Sequence, residues 1–191
     1  MLNELSLFSG YGGFNLGLRL ANLNVKTVGY VEIEPFCQEI IKSRIKDGIL
    51  DDAPIYSDIY AFNGIDYTGL VDVITAGFPC PPFSAAGQRL GKIDSRNLFP
   101  ETLRVIREVG PDFVILENVR GLAVGPDPYS AEVIGKLSEA GYDASWQLHS
   151  ASDAGAPPLR QRWWCLANRR TYDVSNTVES RTGMEAYQIS R

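Results

Sequence analysis

The chain has 191 residues, 45% of them hydrophobic, which predicts one globular domain with a core of its own. Its formal net charge of −5 divides into −7 over residues 1–150 and +2 over residues 151–191. This balance argues against a protein that coats nucleic acid, so any polyanion would have to bind at local positive patches. No apolar run approaches the roughly 20 residues that cross a bilayer, and Met1–Gly10 lacks the pattern of a secretory signal.

Strand-like runs alternate with helical patterns along the chain. The predicted strands lie at 4–8, 25–33, 55–59, 70–77 and 112–118, and the predicted helices at 14–23, 35–45, 98–109 and 129–141. Two more strands, 142–150 and 161–168, are joined by a turn with Pro and Gly, which predicts an antiparallel pair. We therefore predict an α/β fold with a doubly wound, mostly parallel sheet. Residues 1–168 form one predicted domain, and 169–191 a polar tail.

Candidate ligand-binding residues follow the first three strands. In doubly wound sheets, ligands bind beyond the carboxyl ends of the strands. The glycine-rich turn Phe8–Gly13 follows strand one, and Glu32 and Asp58 end strands two and three. Glycines let a backbone approach a ligand, and a carboxylate can accept hydrogen bonds from ribose hydroxyls. A tight turn and solvated acids explain each feature alone, but three consecutive strand ends together indicate an adenosine-type cofactor.

Cys80 stands between prolines in GFPCPPFS (77–84), directly after the fourth strand. The three cysteines show no CxxC spacing, so they predict neither a disulfide framework nor a zinc site and indicate a reduced, cytoplasmic compartment. A buried structural cysteine does not need so stiff a turn, whereas a nucleophile presented to a substrate does. We predict that Cys80 is a nucleophile and that Cys37 and Cys165 are core residues.

Three charged residues form the other half of the candidate site. Glu117 ends the fifth strand after four apolar residues, where an unpaired carboxylate is costly to bury. With a raised pKa it could donate a proton to a substrate nitrogen; the alternative is a carboxylate that caps a loop. Arg160 and Arg162 are predicted to share one face and could hold an anion or a base edge, although a solvated strand edge explains them equally well. His149 is interpreted as structural.

Five motifs, in chain order, now carry a resemblance to a known family. LSLFSGYGGFNLGL, GFPCPPFS, DSRNLF, ENVRGL and RQRWWCLAN resemble the cytosine-5 DNA methyltransferases of bacteria and phages, over about residues 4 to 168. The resemblance implies a Rossmann-like, S-adenosylmethionine-dependent methyltransferase fold. It also implies transfer of a methyl group to C5 of a cytosine flipped out of double-stranded DNA, in restriction-modification or phage self-protection.

The resemblance assigns a role to each matching residue. Cys80 would attack C6 of the cytosine and form a covalent intermediate, Glu117 would protonate N3, and Arg162 would hold the base with support from Arg160. The positions that match cofactor-lining residues are Phe8, Tyr11, Gly13, Glu32, Ile33, Asp58, Ile59, Pro79 and Leu98. A loop resembles the segment that closes over DNA, and its predicted DNA-contacting residues are Ser84, Arg89, Lys92 and Arg96. No metal is implied.

The chain also departs from the family pattern. Pro81 and Pro158 stand where glutamine is usual, and Ile33 stands where an aromatic residue often covers adenine. Family members continue into a target-recognition region and a late segment that completes the cofactor pocket. We therefore expect a truncated chain or one piece of a split enzyme, completed by a second polypeptide. Two alternatives stay open: an RNA cytosine-5 methyltransferase, and a non-catalytic remnant or subunit of a split methyltransferase.

Overall fold

The computed structural model describes residues 1–80, 97–124 and 128–170. Its strands form one sheet in the order β3-β2-β1-β4-β5-β7-β6. The strands are β1 (Leu2–Leu7), β2 (Val25–Val31), β3 (Ile55–Tyr56), β4 (Val73–Ala76), β5 (Phe113–Val119), β6 (Tyr142–Ser150) and β7 (Gln161–Arg169). The helices are α1 (Gly13–Leu20), α2 (Pro35–Lys46), α3 (Phe99–Val109) and α4 (Ser130–Glu139). Within these ranges, no helix is both long and apolar enough to span a membrane.

The pairing of the strands confirms the predicted fold class. Strands β1 to β5 pair in parallel, and β7 runs antiparallel to both β5 and β6. The chain winds outward from β1 through β2 to β3 and then returns to β4 on the other side of β1. The strand order therefore reverses between β1 and β4, and a doubly wound sheet binds its ligands at such a point.

Two predicted elements end three residues earlier than the sequence indicates. The third strand pairs only through Ile55 and Tyr56, because the chain then turns, with the backbone N–H of Tyr60 donating to Oδ1 of Asp58 at 2.8 Å. The first helix ends at Leu20, and Asn22 has a φ of 58°, which closes the helix. Leu20 is consequently exposed rather than packed.

Two hydrophobic clusters attach helices to opposite faces of the sheet. In the larger one, Leu5 and Leu7 of β1 and Trp163 of β7 belong to the same buried cluster as residues of α3 and α4. In the smaller one, Tyr30 of β2 and Ile41 of α2 pack with Leu50 and with partly buried residues that include Leu16 of α1. Helices α3 and α4 therefore cover one face, and α1 and α2 cover part of the other.

A buried polar cluster fixes α1 over the centre of the sheet. Glu4, Thr27 and Thr75 lie on β1, β2 and β4 and are fully buried. The Glu4 carboxylate accepts hydrogen bonds from the hydroxyls of Thr27 at 2.6 Å and Thr75 at 2.7 Å, and from Nδ2 of Asn15 on α1 at 3.3 Å. Because a buried carboxylate must be hydrogen-bonded, these contacts hold the helix that follows the glycine-rich turn.

The α1 side of β5, β7 and β6 is open in the described part of the chain. Trp164 of β7 is 38% exposed and Leu166 is 50% exposed. Phe14 of α1 reaches Trp164 in an edge-to-face contact, with 5.7 Å between ring centroids. Glu117 of β5 pairs directly with Trp164, so its side chain emerges on this open face.

Candidate active site

Four strands that are neighbours in the sheet bring the predicted site together. The order β2-β1-β4-β5 places Glu32, the glycine-rich turn and Cys80 after three successive strands, and Glu117 near the end of the fourth, along the carboxyl edge. The sequence predicts the strand ends but not that these four strands are adjacent. Adjacent parallel strands lie about 4.8 Å apart, so the whole set spans a distance that one bound nucleotide-sized ligand can bridge.

The glycine-rich turn has a left-handed backbone and is anchored by Glu32. Phe8, Gly10 and Gly12 have φ values of 52°, 54° and 78°. The Glu32 carboxylate accepts hydrogen bonds from the backbone N–H of Gly10 at 2.7 Å and of Glu34 at 2.9 Å. The interpretation of Glu32 as a solvated acid is therefore wrong, because it is only 7% exposed. A carboxylate accepts about four hydrogen bonds, so capacity for ribose hydroxyls remains.

Gly12 is the residue of this turn least tolerant of a side chain. A Cβ at Gly12 would lie 2.6 Å from Cδ1 of the buried Leu50, and its φ is 78°. We expect Gly12→Ala to lower the free energy of unfolding by about 1–3 kcal/mol. The matched control is Gly17→Ala in α1, where nothing lies within 4 Å of an added Cβ, and it is expected to raise that free energy by about 0.5–1 kcal/mol. Urea unfolding measures both, and two equal changes would contradict this assignment.

The predicted cofactor positions fit an adenosine-bearing ligand. An added Cβ at Gly10 would meet nothing within 4 Å, so the backbone is open there. Ile33 is 66% exposed beside Glu32, and Tyr11 is also exposed, so both offer apolar surface at the rim. Ile59 is buried, and Asp58 is half-buried. These groups supply what such a cofactor needs, namely open backbone, carboxylates and apolar surface.

The turn that carries Cys80 is fixed by residues on both sides of it. Nδ2 of Asn118 on β5 donates to the carbonyl of Phe78 at 2.9 Å, and the backbone N–H of Leu98 donates to the carbonyl of Pro79 at 3.1 Å. Sγ of Cys80 lies 3.8 Å from Oδ1 of Asn97. Asn97 and Asn118 were not predicted as site residues, although they lie within the motifs DSRNLF and ENVRGL.

The other two cysteines differ from each other. Cys165 is 1% exposed in the core, and burial raises the pKa of its thiol to about 12, which makes it inert. The prediction of a core residue is confirmed for Cys165. It is wrong for Cys37 on α2, which is only half-buried.

Glu117 forms an ion pair with Arg162 across β5 and β7. Its Oε1 lies 2.9 Å from Nε of Arg162, and each side chain is about a quarter exposed, 24% and 23%. Burial raises the pKa of Glu117 above its ordinary value, and the charges of Arg162 and Arg160 oppose this without cancelling it. Oε2 lies against Gly77, where an added Cβ would be 3.4 Å away. The carboxyl group therefore reaches the turn that carries Cys80.

Two cavities share Trp164 as a lining residue, and one is lined by Arg162 and the other by Glu117 of the ion pair. One, of about 410 Å³, is lined by residues that include Arg160, Arg162, Trp164 and His149, which confirms that both arginines share one face. The other, of about 400 Å³, runs from Gly13 and Phe14 to Glu117. His149 pairs directly with Arg162 across β6 and β7 and is exposed. The position of His149 beside Arg162 could not be predicted from the sequence because it depends on the register of β6 and β7.

Some predicted residues lie outside the described part of the chain. These are the predicted DNA-contacting residues Ser84, Arg89, Lys92 and Arg96, and the predicted tail from residue 171 onward. Among residues 1–80, 97–124 and 128–170, no group of three or more His, Cys, Asp or Glu side chains could hold a metal ion.

Comparisons with known proteins agree with the predicted family. Residues 2–190 match the family model of C-5 cytosine-specific DNA methylase. The chain is 38% identical over 174 residues to type II methyltransferase M.NgoMIV of Neisseria gonorrhoeae, a match that covers 88% of this chain and 52% of the relative. It is 36% identical over 179 residues to type II methyltransferase M.CviJI of Paramecium bursaria Chlorella virus IL3A, covering 92% and 46%.

A solved structure also matches most of this chain but only about half of its own. The S. pombe Dnmt2 methyltransferase matches with a TM-score of 0.69 at 26% identity, covering 90% of this chain and 51% of that one. The chain thus spans about half the length of the relatives it matches.

Proposed function

Because the chain belongs to the C-5 cytosine-specific DNA methylase family, we propose that it is the cofactor-binding and catalytic part of a DNA (cytosine-5-)-methyltransferase. The acceptor would be a cytosine in double-stranded DNA. The observation that carries the proposal is the proximity of a cysteine-bearing turn and a glutamate at one sheet edge. Cys80 follows β4, and Glu117 of β5 lies against the turn that carries it.

S-adenosylmethionine would be the methyl donor and, when bound, would supply an activated methyl group. The residues proposed to hold it follow β1, β2, β3 and β4, with Leu98 hydrogen-bonded to Pro79 after β4: Phe8, Tyr11, Gly13, Glu32, Ile33, Asp58, Ile59, Pro79 and Leu98. Glu32 would accept hydrogen bonds from the ribose hydroxyls, since its carboxylate is already held in place by Gly10 and Glu34. Ile33 would contact the adenine with an aliphatic side chain.

Cys80 would start the reaction by attack on C6 of a cytosine flipped out of the duplex. The thiol proton passes to solvent as a bond forms between Sγ and C6, and the electron pair of the C5–C6 π bond moves to C5, where it is conjugated with C4 and N3. Glu117 would give its proton to N3, which makes C6 more electrophilic and stabilises the ring. After C5 receives the methyl group and gives its proton to solvent, the C5–C6 double bond re-forms, the C6–S bond breaks with its electron pair returning to Sγ, and the proton on N3 returns to Glu117.

Arg162 would orient the carboxyl group of Glu117 as well as hold the cytosine. Its Nε holds Oε1 of Glu117, which leaves Oε2 on the side of Gly77 and Cys80. Burial raises the pKa of Glu117, so a larger share of the carboxyl groups is protonated at a given pH than in an exposed glutamate. Arg160, which lines the same cavity as Arg162, would support the base.

We further propose that the DNA-reading surface is supplied by polypeptide outside residues 1–191, in the same chain or in a second one. Residues 1–150 carry a net charge of −7, which is unfavourable for binding DNA phosphates unaided. The relatives have about twice the length of this chain. Ser84, Arg89, Lys92 and Arg96 are the residues of this chain proposed to touch DNA.

A complementation assay tests this function. The chain is combined with the part of M.NgoMIV that lies outside the match, and tritiated S-adenosylmethionine is added with unmethylated duplex DNA and tRNA in competition. We expect label on DNA cytosine, and none when the M.NgoMIV part is used alone. Label mainly on tRNA would establish an RNA methyltransferase instead. Cofactor binding by calorimetry without label on either acceptor would identify a non-catalytic subunit.

A further inference from the structure

A buried amide lies beneath the turn that carries the proposed nucleophile. Asn97 lies two residues before Phe99, the first residue of α3, and is 8% exposed, and Cys80 is 7% exposed. Oδ1 of Asn97 is 3.8 Å from Sγ of Cys80. This distance suits an S–H···O hydrogen bond, since sulfur is larger than oxygen and the thiol is a weak donor.

Two other hydrogen bonds determine which end of the amide faces the sulfur. The backbone N–H of Phe99 donates to Oδ1 at 3.2 Å, and Nδ2 of Asn97 donates to the hydroxyl of Tyr129 at 2.8 Å. If the amide were turned by 180°, its NH₂ group would point at the Phe99 N–H, which can only donate. The hydrogen-bond network therefore assigns the oxygen, rather than the nitrogen, to the side of Cys80.

An oxygen in this position favours one protonation state of the sulfur. Oδ1 accepts a hydrogen bond from a thiol S–H and repels a thiolate. We propose that Asn97 is a positioning residue that keeps Cys80 protonated as a thiol in the DNA-free protein. The nucleophile is thereby unreactive towards alkylating and oxidising agents until substrate replaces this contact. The proposal deepens the proposed function and rests on it only for the role of Cys80, because the thiol state is measured without DNA.

Other ionisable groups near Cys80 come from three elements. In the described part of the chain these are Tyr129 at the start of α4 and the Glu117–Arg162 pair of β5 and β7. A negative charge on Glu117, which lies against Gly77, disfavours a thiolate in the same direction as Asn97 does. The experiment therefore has to separate these two contributions.

Alkylation by iodoacetamide across a range of pH tests the proposal on the full chain without DNA. The thiolate sulfur forms a bond to carbon, iodide leaves, and the thiol proton passes to the buffer. Mass spectrometry of peptides follows Cys80 separately from Cys37 and Cys165. We expect the wild-type rate at Cys80 to reach half its maximum above about pH 8.5, the value of a free cysteine. In Asn97→Ala this midpoint should fall by about 0.5–1 pH unit, and in Asn97→Asp it should rise.

Two control variants isolate the contact. Tyr129→Phe removes the partner of Nδ2 but leaves the bond from Phe99 to Oδ1, so its midpoint should shift much less than that of Asn97→Ala. Glu117→Gln measures the separate effect of the glutamate charge. A wild-type midpoint below about pH 8.5, or a midpoint that is unchanged in the Asn97 variants, overturns the proposal. If Asn97→Ala does not fold, the wild-type midpoint and the isosteric Asn97→Asp variant decide.

Discussion

Replacement of Cys80 by serine is expected to lower kcat for methyl transfer to DNA by at least about 10⁴-fold, as the loss of a nucleophile does in other covalent enzymes. A serine hydroxyl stays protonated at working pH, and no described residue is placed to activate it. Cys80 is 7% exposed, and oxygen is smaller than sulfur, so the variant should fold. Single-turnover transfer from tritiated S-adenosylmethionine, in the complemented protein, measures the loss.

The matched control for this variant is Cys37→Ser. Cys37 is half-buried on α2 and has no proposed catalytic role, so kcat should stay within about twofold of the wild type. Calorimetric binding of S-adenosylmethionine should be equal in the wild type and in Cys80→Ser, which separates lost chemistry from lost binding. Retained methyl transfer in Cys80→Ser would show that Cys80 is not the nucleophile.

Replacement of Glu117 by glutamine is expected to lower kcat by about 10²–10⁴-fold, the usual contribution of a general acid. Glutamine keeps the shape of the side chain, and its oxygen can still accept a hydrogen bond from Nε of Arg162, but it cannot give a proton to N3. The KM for DNA should change far less than kcat. The control is the same substitution at Glu139, an exposed residue that pairs with Lys136 on the surface of α4, which should leave kcat unchanged.

The pH dependence gives a second readout for Glu117. Because burial raises its pKa in the folded protein, the folded state binds the proton more tightly than the unfolded state does. The wild type therefore has a stability contribution that is fully present below the ordinary glutamate pKa and is lost as pH rises through the raised value. We expect wild-type stability relative to Glu117→Gln to fall over that window. A relative stability that rises with pH there would show that the Arg162 charge outweighs burial.

The location of the site could be predicted from the sequence because parallel strands end at a common edge. Each of the Phe8–Gly13 turn, Glu32, Cys80 and Glu117 follows an apolar run, and the sheet makes those runs neighbours. The predicted fold class is confirmed for the same reason, since alternating strands and helices leave few arrangements of the sheet. The third strand was predicted too long because Ile59 is apolar and β-branched, whereas the chain turns at Asp58 and pairs with β2 only through Ile55 and Tyr56.

The contacts of individual side chains could not be predicted in the same way. His149 and Arg162 are 13 positions apart, and only the antiparallel register sets them side by side. Glu4 is fully buried, although a charged residue near a chain terminus usually indicates exposure. Its hydroxyl partners come from β2 and β4, so long-range packing alone satisfies it. In the sequence, Asn97 is likewise only a polar residue in a loop motif. In the folded chain it is hydrogen-bonded to Tyr129 and Phe99.

The central claim is that Cys80 forms a covalent bond to cytosine, and trapping on DNA tests it most directly. The complemented protein is incubated with S-adenosylmethionine and duplex DNA that contains 5-fluorocytosine, because fluorine cannot leave C5 as a cation and the adduct cannot resolve. Intact-mass analysis should show a species heavier by one methylated DNA strand, bound through the peptide that contains Cys80, and this species should be missing in Cys80→Ser. Methyl transfer to ordinary DNA without any trapped species, or a trapped species that persists in Cys80→Ser, would contradict the account.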